Sequence, residues 1–389
     1  MKKPSGRLLF LTAYAAYASI YIARLNLTVA SPIMQSEKLM TAAQIGAMGG
    51  IFFLLYSAGQ LLNGYLGDIF PPKRMVLTGL FLTAVSNLGI GLLPNPALII
   101  LLWGINGFAQ SMLWGPLLRT ISAHFSVHRQ SFIASLLVSS VGAGSILGVF
   151  LAAAAIYYGN LRFAFICPGA VAFLAFFAVL FLFRSSPVQN ARSDRGALSS
   201  LFTPGLLLLL AAAMCHGVLK DNINLWVASY FMDTYSIDLI SMSFFVFAVP
   251  LLTLAGRLVY PFVYRLLREN EQSVSVVGLS LAGLSLLPLC LDGIPLAVSA
   301  LCLSVAAAAV SLVNTSFLTI FPMRYQSCGC VSKVVGLMDF ATYLGAGISS
   351  SFYGIWLVNH TYSGMFLSWV LLSALAVILL IIVKKRRFV

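Results

Sequence analysis

Arg24, Lys220, Asp221 and Asp339 stand inside stretches of sequence that are otherwise almost wholly apolar. An ionisable group at mid-bilayer costs about 2.5–3.5 kcal/mol even on a lenient insertion scale, so such groups face a water-filled path or a partner. Arg24 lies about 17 residues into its stretch and Lys220 about 16 into its own, which at a 1.5 Å rise puts both roughly 24 Å along a helix. Two cations at one depth, facing each other across a cavity, repel unless an anion lies between them. Arginine brings a planar fork and lysine a point charge, a combination suited to phosphate or carboxylate. The alternative is an internal ion pair of either cation with Asp221 or Asp339, which still leaves room for exchange with an incoming anion.

The neighbours extend this reading. Tyr17, Tyr21 and Arg24 fall at i, i+4 and i+7, so two hydroxyls share a helix face with the guanidinium. Tyr343 lies one turn after Asp339. An intramembrane carboxylate can carry a proton, which makes Asp339, and after it Asp221, a candidate for coupling. His216 shares a face with Lys220 and reads as a packing histidine.

These residues must be held by membrane helices. The chain has 389 residues, of which 60% are hydrophobic and 8% charged. A soluble domain carries roughly 25% charged residues. Apolar segments near 8–31, 43–66, 75–93, 97–118, 130–157, 162–183, 205–231, 238–258, 274–291, 295–322, 334–357 and 363–383 are each long enough to cross a bilayer. The expected fold is therefore an all-α membrane protein of 12 transmembrane helices.

The net charge of +13 reads as topology, not as a nucleic-acid surface. With the amino terminus in the cytoplasm, the inner loops and ends carry +15 and the outer loops −2, while the intramembrane charges cancel. Basic residues collect on alternate loops as the positive-inside rule requires. Only Lys38 and Arg162 among the basic residues fall outside. The expected location is a cell (inner) membrane with both termini cytoplasmic. The first apolar stretch is too long for a cleaved signal and carries Arg24. Cys328-Gly329-Cys330 lacks a second pair for zinc, and His124 and His128 match no metalloenzyme motif. No catalytic set, cofactor or metal is expected, the partners being the bilayer and a small anionic substrate, with the chain acting as a monomer.

Residues 184–203 are polar, basic and Pro/Ser-containing, and read as a cytoplasmic linker between six-helix bundles at 1–183 and 204–389. The halves echo each other. Arg24-Leu25-Asn26 matches Lys220-Asp221-Asn222 at an offset of 196, Gly142-Ala143-Gly144 matches Gly345-Ala346-Gly347 at 203, and Gly64 matches Gly256 at 192. Parallel six-helix repeats about an axis along the membrane normal are one transporter design.

Gly64-Tyr65-Leu66-Gly67-Asp68, followed by Lys73-Arg74, resembles the cytoplasmic loop motif of the major facilitator superfamily. The family's arginine after the aspartate is Ile69 here. The resemblance implies a gating loop whose charges help hold the outward-facing state. Within that superfamily the chain looks like the organophosphate:inorganic phosphate antiporters. Tyr17, Tyr21 and Arg24 are similar to the two tyrosines and phosphate-binding arginine of their first span. Asn106-Gly107-Phe108-Ala109-Gln110, then Trp114-Gly115-Pro116, resembles their fourth-span pattern, and Lys220, Trp226 and Tyr230 resemble that of the seventh. The fifth span departs, with Ser135, Leu136 and Ser139 where the family has tryptophan, asparagine and a substrate-site histidine, and Gln60 replaces a second-span lysine.

The resemblance implies two pseudo-symmetric bundles and secondary active transport of a small organic anion by alternating access. A phosphate ester exchanged for phosphate is one form. A proton-coupled carrier of another anion and a transporter-like sensor of sugar phosphate are the others.

Overall fold

The computed structural model describes residues 6–125, 127–183, 203–325 and 331–386. Among the described residues the regular structure is all helical. The first half holds α1 (Gly6–Ser36), α2 (Ala42–Ile69), α3 (Pro72–Leu92), α4 (Pro96–Gln110), α5 (Trp114–His124), α6 (Val127–Tyr158) and α7 (Phe163–Leu182). The second holds α8 (Pro204–Tyr235), α9 (Leu239–Leu266), α10 (Glu271–Leu286), α11 (Leu296–Thr315), α12 (Phe321–Met323), α13 (Val331–Asn359) and α14 (Tyr362–Arg386). A 3₁₀ turn at Leu287–Cys290 continues α10, and a π turn at Ser316–Ile320 joins α11 to α12.

Helix starts follow local chemistry. Thr41 and Gln44 form a reciprocal capping box at α2, and the Asn95, Thr203 and Asn270 side chains accept from the first free amides of α4, α8 and α10. Proline opens α3, α4 and α8, where its missing N–H costs nothing.

Eleven stretches of described residues are long and apolar enough to cross a membrane. Among them, α4 and α5 count as one span, as do α11 and α12. The helix outside the eleven is α13, 29 residues long, whose run of Gly, Ser and Tyr lowers its hydropathy. Large apolar side chains such as Leu174, Phe181, Phe244 and Leu258 are exposed, a surface that only lipid can solvate.

The chain divides into two compact units, residues 1–191 with 238–247, and 192–237 with 248–389. The expected linker lies almost entirely outside the described residues, as does Cys328-Gly329-Cys330.

In unit 1, α1 packs on α6 and α7, α3 on α7 and α4, and α2 on α4. Unit 2 repeats the scheme, with α8 on α13 and α14, and α10 on α11 and α14. Glycine sets the tightest approach. A Cβ at Gly144 would overlap the Ala18 carbonyl oxygen, and one at Gly345 would overlap that of Met214. Both carbonyls lie six residues before the cation of their helix. Likewise a Cβ at Gly59 would meet the Ser111 hydroxyl, and one at Gly256 the Ser311 hydroxyl. By these contacts Gly256 corresponds to Gly59, and Gly345 to Gly144.

Three expectations change. Gly64–Asp68 is helix, not loop, because α2 runs on to Ile69 and leaves only Phe70 and Pro71 as a connection. The fourth span breaks at Ser111–Leu113, directly before Trp114-Gly115-Pro116. The eighth extends to Leu266, which draws Arg257 into its interior.

Candidate functional site

Arg24 sits half-buried at the middle of α1 with its guanidinium against aromatic rings. Its Cζ lies 4.7 Å from the ring centres of Phe52 and Tyr56, 5.4 Å from Tyr21 and 5.9 Å from Phe53. Ring faces attract the cation without neutralising it, and Phe52 and Phe53 cannot compete with an anion for its N–H groups. Tyr17 stacks edge-on against Tyr21 at 5.5 Å and lies 4.9 Å from Trp114. The structure therefore brings together Tyr17, Tyr21, Arg24 and Trp114, as their spacing suggests. It adds Phe52, Phe53 and Tyr56 from α2, whose only trace in sequence is a cluster of rings that reads as ordinary apolar surface.

A set of amides fixes the depth of this cation. Asn106 and Gln110 are fully buried and both donate to the carbonyl of Ala23, at 3.0 and 3.5 Å. Asn87 donates to the same oxygen at 3.3 Å. Asn26 donates to Asn87 Oδ1 at 3.0 Å and to the Ala164 carbonyl at 2.9 Å. Asn106 and Gln110 are thus placed as pins on the backbone beside Arg24, away from any open space. Through their N–H groups the four amides tie α1 to α3, α4 and α7, while Asn26 Oδ1 and Gln110 Oε1 are buried with no hydrogen-bond partner among the described residues.

In unit 2 the Lys220 ammonium lies 3.3 Å from Asp221 Oδ2 and 4.2 Å from the ring centre of Tyr343. Neighbouring residues on a helix point about 100° apart, so this ion pair needs the long lysine stem to bend round. Asn222 repeats the part of Asn26. It donates to Ser349 at 2.7 Å and to the Val218 carbonyl at 2.8 Å, and accepts from Ser350 at 3.1 Å. Asp339 is half-buried on α13, four residues before Tyr343. His216 is fully buried with its ring edge-on to Phe317 at 5.8 Å.

Trp226 is also fully buried, packed with Phe366 and Trp369 where no water molecule fits. This is a core position. Tyr230 is bound through its hydroxyl to Ser299 at 3.1 Å. Ser139 accepts from or donates to Tyr14 at 3.3 Å. Of the expected gating residues, Gly64 and Asp68 lie in the last turns of α2. Lys73 donates to the Leu180 carbonyl at 2.7 Å, a cation at the C-terminal end of α7, and Arg74 is exposed.

The profile of the Major Facilitator Superfamily matches residues 13–327, which is most of the chain. This protein belongs to that superfamily of transporters. It is 28% identical over 179 residues to a probable hexose phosphate transport protein of Chlamydia muridarum, a match covering 46% of this chain. The chain spans only 39% of that relative's length. It is 24% identical over 387 residues to the phosphoglycerate transporter protein of Salmonella typhimurium, covering 89% of this chain and 81% of the relative. The crystal structure of a mutant of the nucleoside transporter NupG aligns with a TM-score of 0.76 at 14% identity, over 97% of this chain and 99% of that one. That likeness is one of fold. The relatives place the chain beside the phosphate-ester carriers that the first, fourth and seventh spans resemble.

Proposed function

We propose that this protein is a secondary active transporter of a small organic anion, working by alternating access, with a phosphate ester as the substrate class that fits best. The observation that carries the reading is Arg24, an intramembrane guanidinium seated on rings and pinned in depth by buried amides. Arg24 serves as the anion ligand of unit 1, with Tyr17, Tyr21 and Trp114 shaping the space around it. Lys220 is the ligand of unit 2, with Tyr343 beside it. Asp221 holds the ammonium when no substrate is bound, and an incoming anion takes over the ammonium. Asp339 is the candidate for coupling to protons. The names of the relatives support a phosphate ester, and the two-cation set suits exchange for inorganic phosphate.

The test is counterflow in liposomes loaded with inorganic phosphate, with labelled glycerol phosphate or hexose phosphate outside. Arg24→Ala and Lys220→Ala should each abolish uptake, and Arg24→Lys should restore little, because the fork is lost. Full uptake in both alanine variants would sink the reading. Uptake that needs a proton gradient but no internal phosphate selects the proton-coupled form. Binding with no counterflow selects a sensor.

A further inference from the structure

Unit 1 contains an open cavity of about 530 Å³ at the end of the bundle remote from Gly6, among the end of α1, the turn between α3 and α4, and the start of α7. The volume falls in the range of ligand pockets, roughly 300–1,000 Å³. Its floor is apolar, formed by buried Met34, Ile99 and Phe165, and its rim carries Lys38, Arg162 and Glu37. The cavity therefore collects the two basic residues that stand apart from the intramembrane and cytoplasmic sets. Among the described residues, neither Lys38 nor Arg162 has an acid within ion-pair distance.

Two features show that this corner is shaped and not left over. Lys38 takes φ of 56°, a left-handed backbone. It follows the end of α1, where the Leu39 amide reaches back to the Met34 carbonyl at 2.9 Å and the Lys38 amide to that of Gln35 at 3.0 Å. Glycine is the usual residue there, so a lysine holds its charge at a conformational cost. The second feature is the matching corner of unit 2, which the repeat fills. There Tyr235 donates to the Ile294 carbonyl at 2.8 Å, Tyr230 donates to Ser299, and Tyr362 donates to Asp233 at 2.7 Å. The rings of Tyr230 and Tyr362 lie 5.4 Å apart. One fold thus closes this corner with tyrosines and an acid in one copy, and leaves it open with a lysine and an arginine in the other.

We propose that the unit 1 corner is a binding site for an anionic phospholipid. Four helix ends meet there, so the cavity lies at the level where headgroups meet hydrocarbon. An apolar floor under a cationic rim suits a molecule with a charged head and an apolar body. The first amides of α7 are already engaged, with Arg162 N–H donating to Asn160 Oδ1 at 3.0 Å. The phosphate is therefore held by side chains, the Arg162 fork and the Lys38 ammonium, with Glu37 disfavouring a second anion.

Native mass spectrometry and thermal unfolding of the purified full chain in detergent test this, with phosphatidylglycerol, phosphatidylcholine and inorganic phosphate as probes. Wild-type protein should retain phosphatidylglycerol and unfold at higher temperature with it, and respond far less to phosphatidylcholine. Lys38→Gly with Arg162→Gln should weaken phosphatidylglycerol binding roughly thirtyfold, from the loss of two interfacial cations. Lys38→Gly alone places the favoured residue at a left-handed position, so it folds and still reports the loss of one charge. Equal binding of both lipids, binding unchanged in the Lys38 and Arg162 variants, or the same stabilisation from inorganic phosphate alone in a protein whose transport site is disabled by Arg24→Ala and Lys220→Ala, would each overturn the proposal.

Discussion

Gly345 lies against the backbone of Met214 so closely that a Cβ there would overlap the Met214 carbonyl oxygen. In each unit such a contact stands six residues before the intramembrane cation and joins the cation-bearing helix to the fifth span of its unit. The obstructing atom is backbone, which cannot rotate aside as a flexible side chain can. Gly345→Ala should therefore destabilise the protein by about 1–3 kcal/mol through overpacking. Gly336, on the same helix, has open space where its Cβ would stand. Gly336→Ala should be neutral or stabilising by up to about 1 kcal/mol, from helix propensity alone. Thermal unfolding of the two variants checks the pair. A Gly345→Ala protein as stable as wild type would show that α8 and α13 do not need this contact.

Much of this was legible in the sequence. The helical spans, the repeat of Arg24-Leu25-Asn26 in Lys220-Asp221-Asn222, and the Tyr17–Tyr21–Arg24 stripe follow from hydropathy and helical spacing. These are properties of single helices, which a linear pattern encodes. What the sequence hid depends on a second helix. Phe52, Phe53 and Tyr56 become partners of Arg24 only because α2, which packs on α4, brings its rings within reach of the long arginine side chain. Asn106 and Gln110 stand in the stretch that resembles the family's fourth-span pattern, and that likeness does not say what their side chains touch. The acceptor of their N–H groups, the Ala23 carbonyl, belongs to another helix and leaves no mark on their own segment. Trp226 is a similar case, since its likeness to the seventh-span pattern and its spacing from Lys220 do not say whether a ring faces a cavity or the core.

The amide cluster around Ala23 predicts a separation of effects. Asn106→Ala removes a buried donor and leaves a shared carbonyl less satisfied, at a cost of about 1–3 kcal/mol. Its melting temperature should fall, while the protein that remains folded should bind substrate with affinity close to wild type. Arg24→Ala should do the reverse, leaving stability near wild type and removing binding. Ligand-dependent thermal shifts of both variants read this directly. An Asn106→Ala protein with normal stability and lost binding would make Asn106 a substrate ligand after all.

The Asp221 carboxylate lies 3.3 Å from the Lys220 ammonium, so under the proposed function it competes with the substrate for Lys220. Asp221→Asn removes that competitor and keeps the shape. An anion should then bind more tightly, by about fivefold if the partly buried pair contributes about 1 kcal/mol. Release should slow for the same reason, so the maximal exchange rate should fall. Equilibrium binding and counterflow measured on one preparation separate the two. Weaker binding in Asp221→Asn would show that the carboxylate orients Lys220 and does not oppose the substrate.

Glu271 and Arg324 form an ion pair at 2.6 Å within unit 2, linking the start of α10 to the chain just after α12. The two partners are unequal. The Glu271 side chain is 5% exposed and that of Arg324 is 38% exposed. Glu271 also occupies the first turn of α10, where a carboxylate favours the helix dipole. Removing the arginine leaves a charge in a poorly solvated place, whereas removing the glutamate returns Arg324 to water at little cost. Arg324→Ala should therefore destabilise more than Glu271→Gln, by about 1 kcal/mol after allowance for the exposed partner. The double variant should lie close to Glu271→Gln alone, because no buried charge then remains. Unfolding of the three variants forms a thermodynamic cycle that checks the order. Equal losses in the two single variants would mean that the pair acts as a surface bridge and that burial of Glu271 does not matter.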